Sequence, residues 1–98
     1  MRWAIILTLA MLGTSANATP SGHIQHILAH GDGASRETAF KASSVRDEHD
    51  VAAALGLQID SQSLVIGKHP YDMLEVSDPK TGAKRELWFD ISSFYPEF

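Results

Sequence analysis

His23, His26 and His30 stand at i, i+3 and i+7. A helix over Ser21 to His30 would therefore align three imidazoles along one face, where a Zn²⁺ or Cu²⁺ ion could be held, with Asp32 or His49 as a fourth ligand. The plainer alternative is a polar surface segment that simply carries histidines. No H-E-x-x-H arrangement is present, so the paired ligands and general base of a metalloprotease are missing. Gly31-Asp32-Gly33 resembles the start of a calcium loop, but only Ser35 and Glu37 could add oxygens and the terminal Glu of an EF-hand is absent. It also lacks the Lys-Ser/Thr ending of a P-loop. The segment reads as a turn, its glycines free to take positive φ and its Asp able to bond nearby backbone.

Nucleophilic catalysis finds no support, since there is neither a G-x-S-x-G elbow nor a cysteine. Asp72 and Asp90 could in principle act as an acid/base pair, but carboxylates beside a strand are usually solvated. No catalytic residue and no cofactor is expected. Binding is better represented: Tyr71, Met73 and Trp88 gather on one sheet face among Glu75, Glu86 and Asp90. Aromatic side chains of this kind supply large contact area with a polar handle and dominate interface energies. The alternative is that the N-terminal segment or the aromatic tail from Phe94 folds back over this cluster.

These residues must be positioned by a small number of elements. Residues 19–37 show little periodicity and read as an N-terminal loop or flexible segment. Thr38 to Ser43 reads as a short strand, with Phe40 and Ala42 on one side and Ala39, Lys41 and Ser43 on the other. Ser44 is a helix N-cap candidate followed by Asp47 and Glu48, acidic residues that suit the positive end of a helix dipole. The helix should run from Val45 to Leu55, burying Val45, Val51, Ala52 and Leu55, and stop at Gly56. Three strands follow, at Gln62 to Ile66, Tyr71 to Ser77 and Arg85 to Ile91.

Between the last two strands, Asp78-Pro79-Lys80-Thr81-Gly82-Ala83 places Pro where a type I turn begins and Gly where a left-handed residue closes it. Pairing Asp78 with Ala83 sets Leu74 against Leu87, Val76 against Arg85, Met73 against Trp88 and Tyr71 against Asp90. It also sets Glu75 against Glu86, an unfavourable opposition. Leu74, Val76, Leu87, Phe89 and Ile91, with Leu64 and Ile66, then form the face that covers the helix. The expected fold is α+β, with one helix packed on a three- or four-stranded antiparallel sheet in β-α-β-β-β order over residues 38–98.

The chain has 98 residues, of which 44% are hydrophobic and 20% charged, which suits one small folded domain. Residues 1–18 read as a signal peptide: Met1 and Arg2 carry positive charge, Trp3 to Leu12 is apolar apart from Thr8, and Ala16-Asn17-Ala18 is a small-x-small cleavage pattern. The apolar run would span about 15 Å as a helix against a hydrocarbon core of about 30 Å. No stable membrane anchor is expected after cleavage before Thr19, and the location is periplasmic or secreted. A net charge of −4 repels phosphate backbones, so nucleic acid is not an expected partner. With no cysteine to form a disulfide, the core alone must hold this exported domain together, unless a ligand or second subunit helps.

Several segments resemble a group of small exported bacterial proteins of unknown function: Gly31-Asp32-Gly33 with Ser35 and Glu37-Thr38-Ala39; Ser61-Gln62-Ser63-Leu64; Tyr71-Asp72 with Leu74-Glu75-Val76; and Phe89-Asp90-Ile91-Ser92 with Phe94. The resemblance spans most of the chain after residue 18 and implies a single exported domain, without an activity. The histidine-bearing start, His23 to His30, departs from it. The function expected is a non-catalytic binding or accessory protein of the cell envelope, with an envelope protein or a second copy as partner. The alternatives are a periplasmic metal-binding protein using His23, His26 and His30, and a small envelope hydrolase or hydrolase inhibitor.

Overall fold

The computed structural model describes residues 19–96, and the proposed signal peptide lies outside the described residues. Six elements follow in order: α1 (Gly22–Ala29), β1 (Phe40–Lys41), α2 (Val45–Ala54), β2 (Gln58–Ile66), β3 (Pro70–Ser77) and β4 (Lys84–Asp90). The sheet order is β1-β4-β3-β2. The architecture is α+β, with two corrections to the expected form. The sheet is mixed, because β1 pairs parallel to β4. A second helix, α1, stands where residues 19–37 gave no clear periodicity.

That helix is held by its cap and two apolar anchors. The Ser21 hydroxyl accepts the Ile24 N–H at 3.2 Å, and Ile24 and Ile27 are buried in the main core. Two anchors in eight residues are too few to stand out as a hydrophobic pattern. In α2, Ser44 caps as expected and accepts the Asp47 N–H at 3.2 Å, while Gly56 exits at φ 73°. The β3–β4 register is the one derived from the turn, pair for pair from Tyr71 opposite Asp90 to Ser77 opposite Lys84. Asp78 N–H meets the Ala83 carbonyl at 2.8 Å and Gly82 closes the turn at φ 77°.

Glu75 and Glu86 do face each other, and each carboxylate is drawn to a separate donor. Ser61 Oγ donates to Glu75 at 3.0 Å and Trp88 Nε1 donates to Glu86 at 3.1 Å. The helices cover the sheet face bearing Leu74, Val76, Leu87 and Phe89, all fully buried with Ile91 and Val51. Phe94 and Tyr95 pack against this same core, so this part of the tail covers the helix side. Leu64 and Ile66 lie on that side too but are 48% and 61% exposed. The core takes Ile59 from the near end of β2 and leaves the far end uncovered, which corrects their expected place in the core.

Candidate functional site: the outer sheet face

Strand alternation puts Tyr71, Met73 and Glu75 of β3 and Glu86, Trp88 and Asp90 of β4 on the face away from the helices. Met73 and Trp88 are direct cross-strand partners, and the Tyr71 and Trp88 rings meet edge-on with centroids 6.0 Å apart. The three predicted binding residues are therefore one cluster. Their exposure differs: Tyr71 is buried, while Met73 and Trp88 are half-buried. The cover comes from the loop after α1. Gly33 accepts the Trp88 N–H at 2.8 Å, and Arg36 places its guanidinium 5.5 Å from the Trp88 ring centroid, within cation–π range.

The loop owes its shape to the two glycines read as a turn. Gly31 and Gly33 take φ 149° and 69°, and a Cβ on Gly33 would lie 2.5 Å from the Phe40 ring. Asp32 Oδ1 accepts the Ala34 N–H at 2.9 Å, and the Asp32 and Gly33 N–H groups both reach the Thr38 carbonyl. This fold of the loop carries Arg36 onto the aromatic face. A depression of about 230 Å³ results, lined by Arg36, Glu37, Lys68 and Tyr71, with His69 edge-on to Tyr71 at 6.2 Å. Sequence reasoning missed Arg36, Lys68 and His69 at this site. The position of Lys68 and His69 immediately before Tyr71 was the available signal.

Asp90 lies on this face opposite Tyr71. Partial burial alone would raise its carboxyl, but the Ser92 hydroxyl and N–H, with the charges of His69 and Lys41, hold it below the usual aspartate range. Asp72 stands opposite Phe89 and shares the helix side. Asp72 and Asp90 thus point to opposite faces and cannot work as a pair. Asp72 is also 1% exposed rather than solvated. Its place two residues before Leu74 was the sign that it faces inward.

Behind the sheet, Asp72 meets Glu48 of α2, which is 0% exposed and has neither carboxyl oxygen hydrogen-bonded. Burial first, then the adjacent Asp72 and Asp47 carboxyls, push the Glu48 pKa up to about 9. Gln62 Nε2 donates to Asp72 at 3.1 Å. Asp47 is handled in the opposite way. Its burial alone would raise the pKa, but His23 Nε2 at 2.9 Å and the Ser43 N–H at 2.8 Å outweigh it and lower it.

That contact accounts for His23. The other two predicted metal ligands stack on each other, with ring centroids 4.3 Å apart, and His30 Nδ1 lies 2.8 Å from the His26 carbonyl. The helix needed for the metal reading exists, yet its histidines do not converge: His23 is turned to Asp47. Among the described residues no group of three or more His, Cys, Asp or Glu side chains is placed to hold a metal ion.

Fold and site together define a small α+β domain with one helix-covered sheet face and one aromatic face partly roofed by a loop. Residues 18–97 match the domain of unknown function DUF4919, and the chain belongs to that family. No curated protein and no solved structure matches it. Among the described residues no helix is long and apolar enough to cross a membrane.

Proposed function

We propose that this chain is a non-catalytic binding protein of the bacterial cell envelope, exported by residues 1–18, and that it docks a protein partner on its outer sheet face. The observation that carries the reading is the joined cluster of Trp88, Met73 and Tyr71 with Arg36 lying over the indole. Half-buried Trp and Met are held in place by neighbouring strands, so little side-chain freedom is lost when a partner covers them. Arg36 and Lys68 beside the Tyr71 phenol favour a partner segment that presents a carboxylate next to an apolar side chain.

Pull-down from an envelope extract with wild type, Trp88→Ala and Arg36→Ala tests this. A protein recovered by wild type and lost with both variants supports it. Identical recovered proteins would remove this face from consideration.

A further inference from the structure

The turn between β2 and β3 meets the loop after α1 beside the aromatic cluster, and the meeting leaves two cations and a phenol without a partner. Gly67 N–H donates to the His69 carbonyl at 2.9 Å, which closes a tight turn with Lys68 at its tip. A Cβ on Gly67 would stand 3.5 Å from Arg36 Nη1, so the guanidinium that lies over Trp88 also borders this turn. The ion pairs among the described residues join His23 to Asp47, Arg46 to Asp50, His69 to Asp90 and Lys84 to Asp60, and neither Arg36 nor Lys68 takes part. Tyr71 is 9% exposed, and its hydroxyl has no hydrogen-bond partner among the described residues. That oxygen is not sealed in, because the fully buried polar side-chain atoms left unpaired among those residues are the two Glu48 oxygens. A nine-tenths buried phenol thus keeps an open end, and Tyr71 lines the depression of about 230 Å³ together with Arg36, Glu37 and Lys68.

We infer that this depression is a carboxylate pocket, filled by an acidic side chain of the protein that docks on the outer face. The inference rests on the docking role proposed above and names the group recognised there. Arg36, Lys68 and the Tyr71 hydroxyl can all donate to one acceptor-rich group. Arg36 spends the face of its guanidinium on the indole and keeps its in-plane N–H groups, whose flat fork matches a carboxylate. Two cations stand against the single carboxylate of Glu37, in a chain whose net charge is −4. An acidic residue therefore meets an attraction here that the chain as a whole does not offer it. Glu37 accepts and cannot donate, so it suits the backbone N–H that flanks a side chain in a peptide and disfavours a bare dianion such as phosphate. With Met73 and Trp88 half-buried alongside, the neighbouring position of the bound segment is apolar.

NMR titration of the purified protein with two acetylated, amidated tripeptides is the test, one with glutamate between two phenylalanines and one with glutamine there. The glutamate peptide should shift the amide signals of Arg36, Lys68 and Tyr71 and bind at least about 10-fold more tightly, since glutamine forfeits the hydrogen bonds to an ionised group. Tyr71→Phe keeps the ring against Trp88 and His69 and should weaken the glutamate peptide roughly 2- to 10-fold. Lys68→Gln changes an exposed side chain and should weaken it roughly 2- to 5-fold. Neither variant should alter binding of the glutamine peptide, and inorganic phosphate should bind more weakly than the glutamate peptide. Equal affinity for the two peptides, no binding of either up to about 10 mM, or indifference to both variants would overturn the inference. So would phosphate that binds as tightly as the glutamate peptide, the mark of a general anion site. The docking role fails separately. A partner lost with Trp88→Ala but retained by Tyr71→Phe and Lys68→Gln would keep the outer face and remove the pocket, whereas glutamate selectivity with no partner recovered would keep the pocket and remove the docking role.

Discussion

Glu48→Gln should make the protein more stable, by an amount that depends on pH. The Glu48 carboxyl is fully buried beside Asp72, and its pKa rises from 4.5 to about 9 on folding. Above pH 4.5 the unfolded chain releases this proton while the folded chain keeps it. The folded state therefore binds more protons, and its stability falls as pH rises, until the folded group also ionises near pH 9. One proton of difference amounts to about 1.4 kcal/mol per pH unit, so the loss between pH 5.5 and 8 is on the order of 3 kcal/mol. That is a large share of the roughly 5–15 kcal/mol typical of a domain.

Glutamine keeps the shape of the side chain, cannot ionise, and can offer its amide N–H to Asp72. Urea unfolding at several pH values, followed by the fluorescence of Trp88, would give the free energies. Wild type and Glu48→Gln should converge near pH 5 and diverge steadily above it, with the variant more stable. Asp47 and Asp90, held below the usual aspartate range, stay ionised above pH 5 and add little to the difference over this interval. Parallel curves, or a variant that loses ground as pH rises, would refute the argument.

Other perturbations separate the remaining supports. Phe89→Ala removes a fully buried ring from the centre of the sheet and should cost about 3–5 kcal/mol by denaturant titration, enough to unfold much of the population. Gly33→Ala places a Cβ against Phe40 at a positive φ; it should cost about 1–3 kcal/mol and blue-shift or quench Trp88 differently from wild type as the loop moves. Asp47→Ala removes a carboxylate whose folded pKa is depressed. In wild type this contribution is present above the usual aspartate pKa and lost as pH falls through the folded value. The variant should therefore lose less stability on acidification between pH 5 and 3, measured as thermal midpoint against pH.

The parts of the fold governed by local chemistry were legible in the sequence. Ser44 and Gly56 delimit α2, and the Asp78 to Ala83 turn fixes a register from which every β3–β4 pair follows. The Tyr71, Met73 and Trp88 cluster is a consequence of that register. What the sequence concealed depends on contacts between distant segments. The parallel pairing of Phe40 with Phe89 is made by a two-residue strand whose partner lies 49 positions on, and no periodicity can announce it. Arg36 reaches Trp88 only because Gly33 lets the loop return to β4. Glu48 fits the helix-dipole preference for acidic residues in a first turn, and this ordinary explanation hid its burial. Leu64 and Ile66 obey the alternation of a core strand, but at the far end of an edge strand α2 does not cover them.

The most direct test of the binding role is photocrosslinking in living cells. A photoreactive amino acid would replace Met73 or Trp88 on the outer face, and in a control His49 or Gln25, both exposed on the helices. A discrete adduct from the outer-face positions, absent from the helix positions, is the predicted result. Equal labelling from both, or an adduct from the helix positions alone, would contradict it.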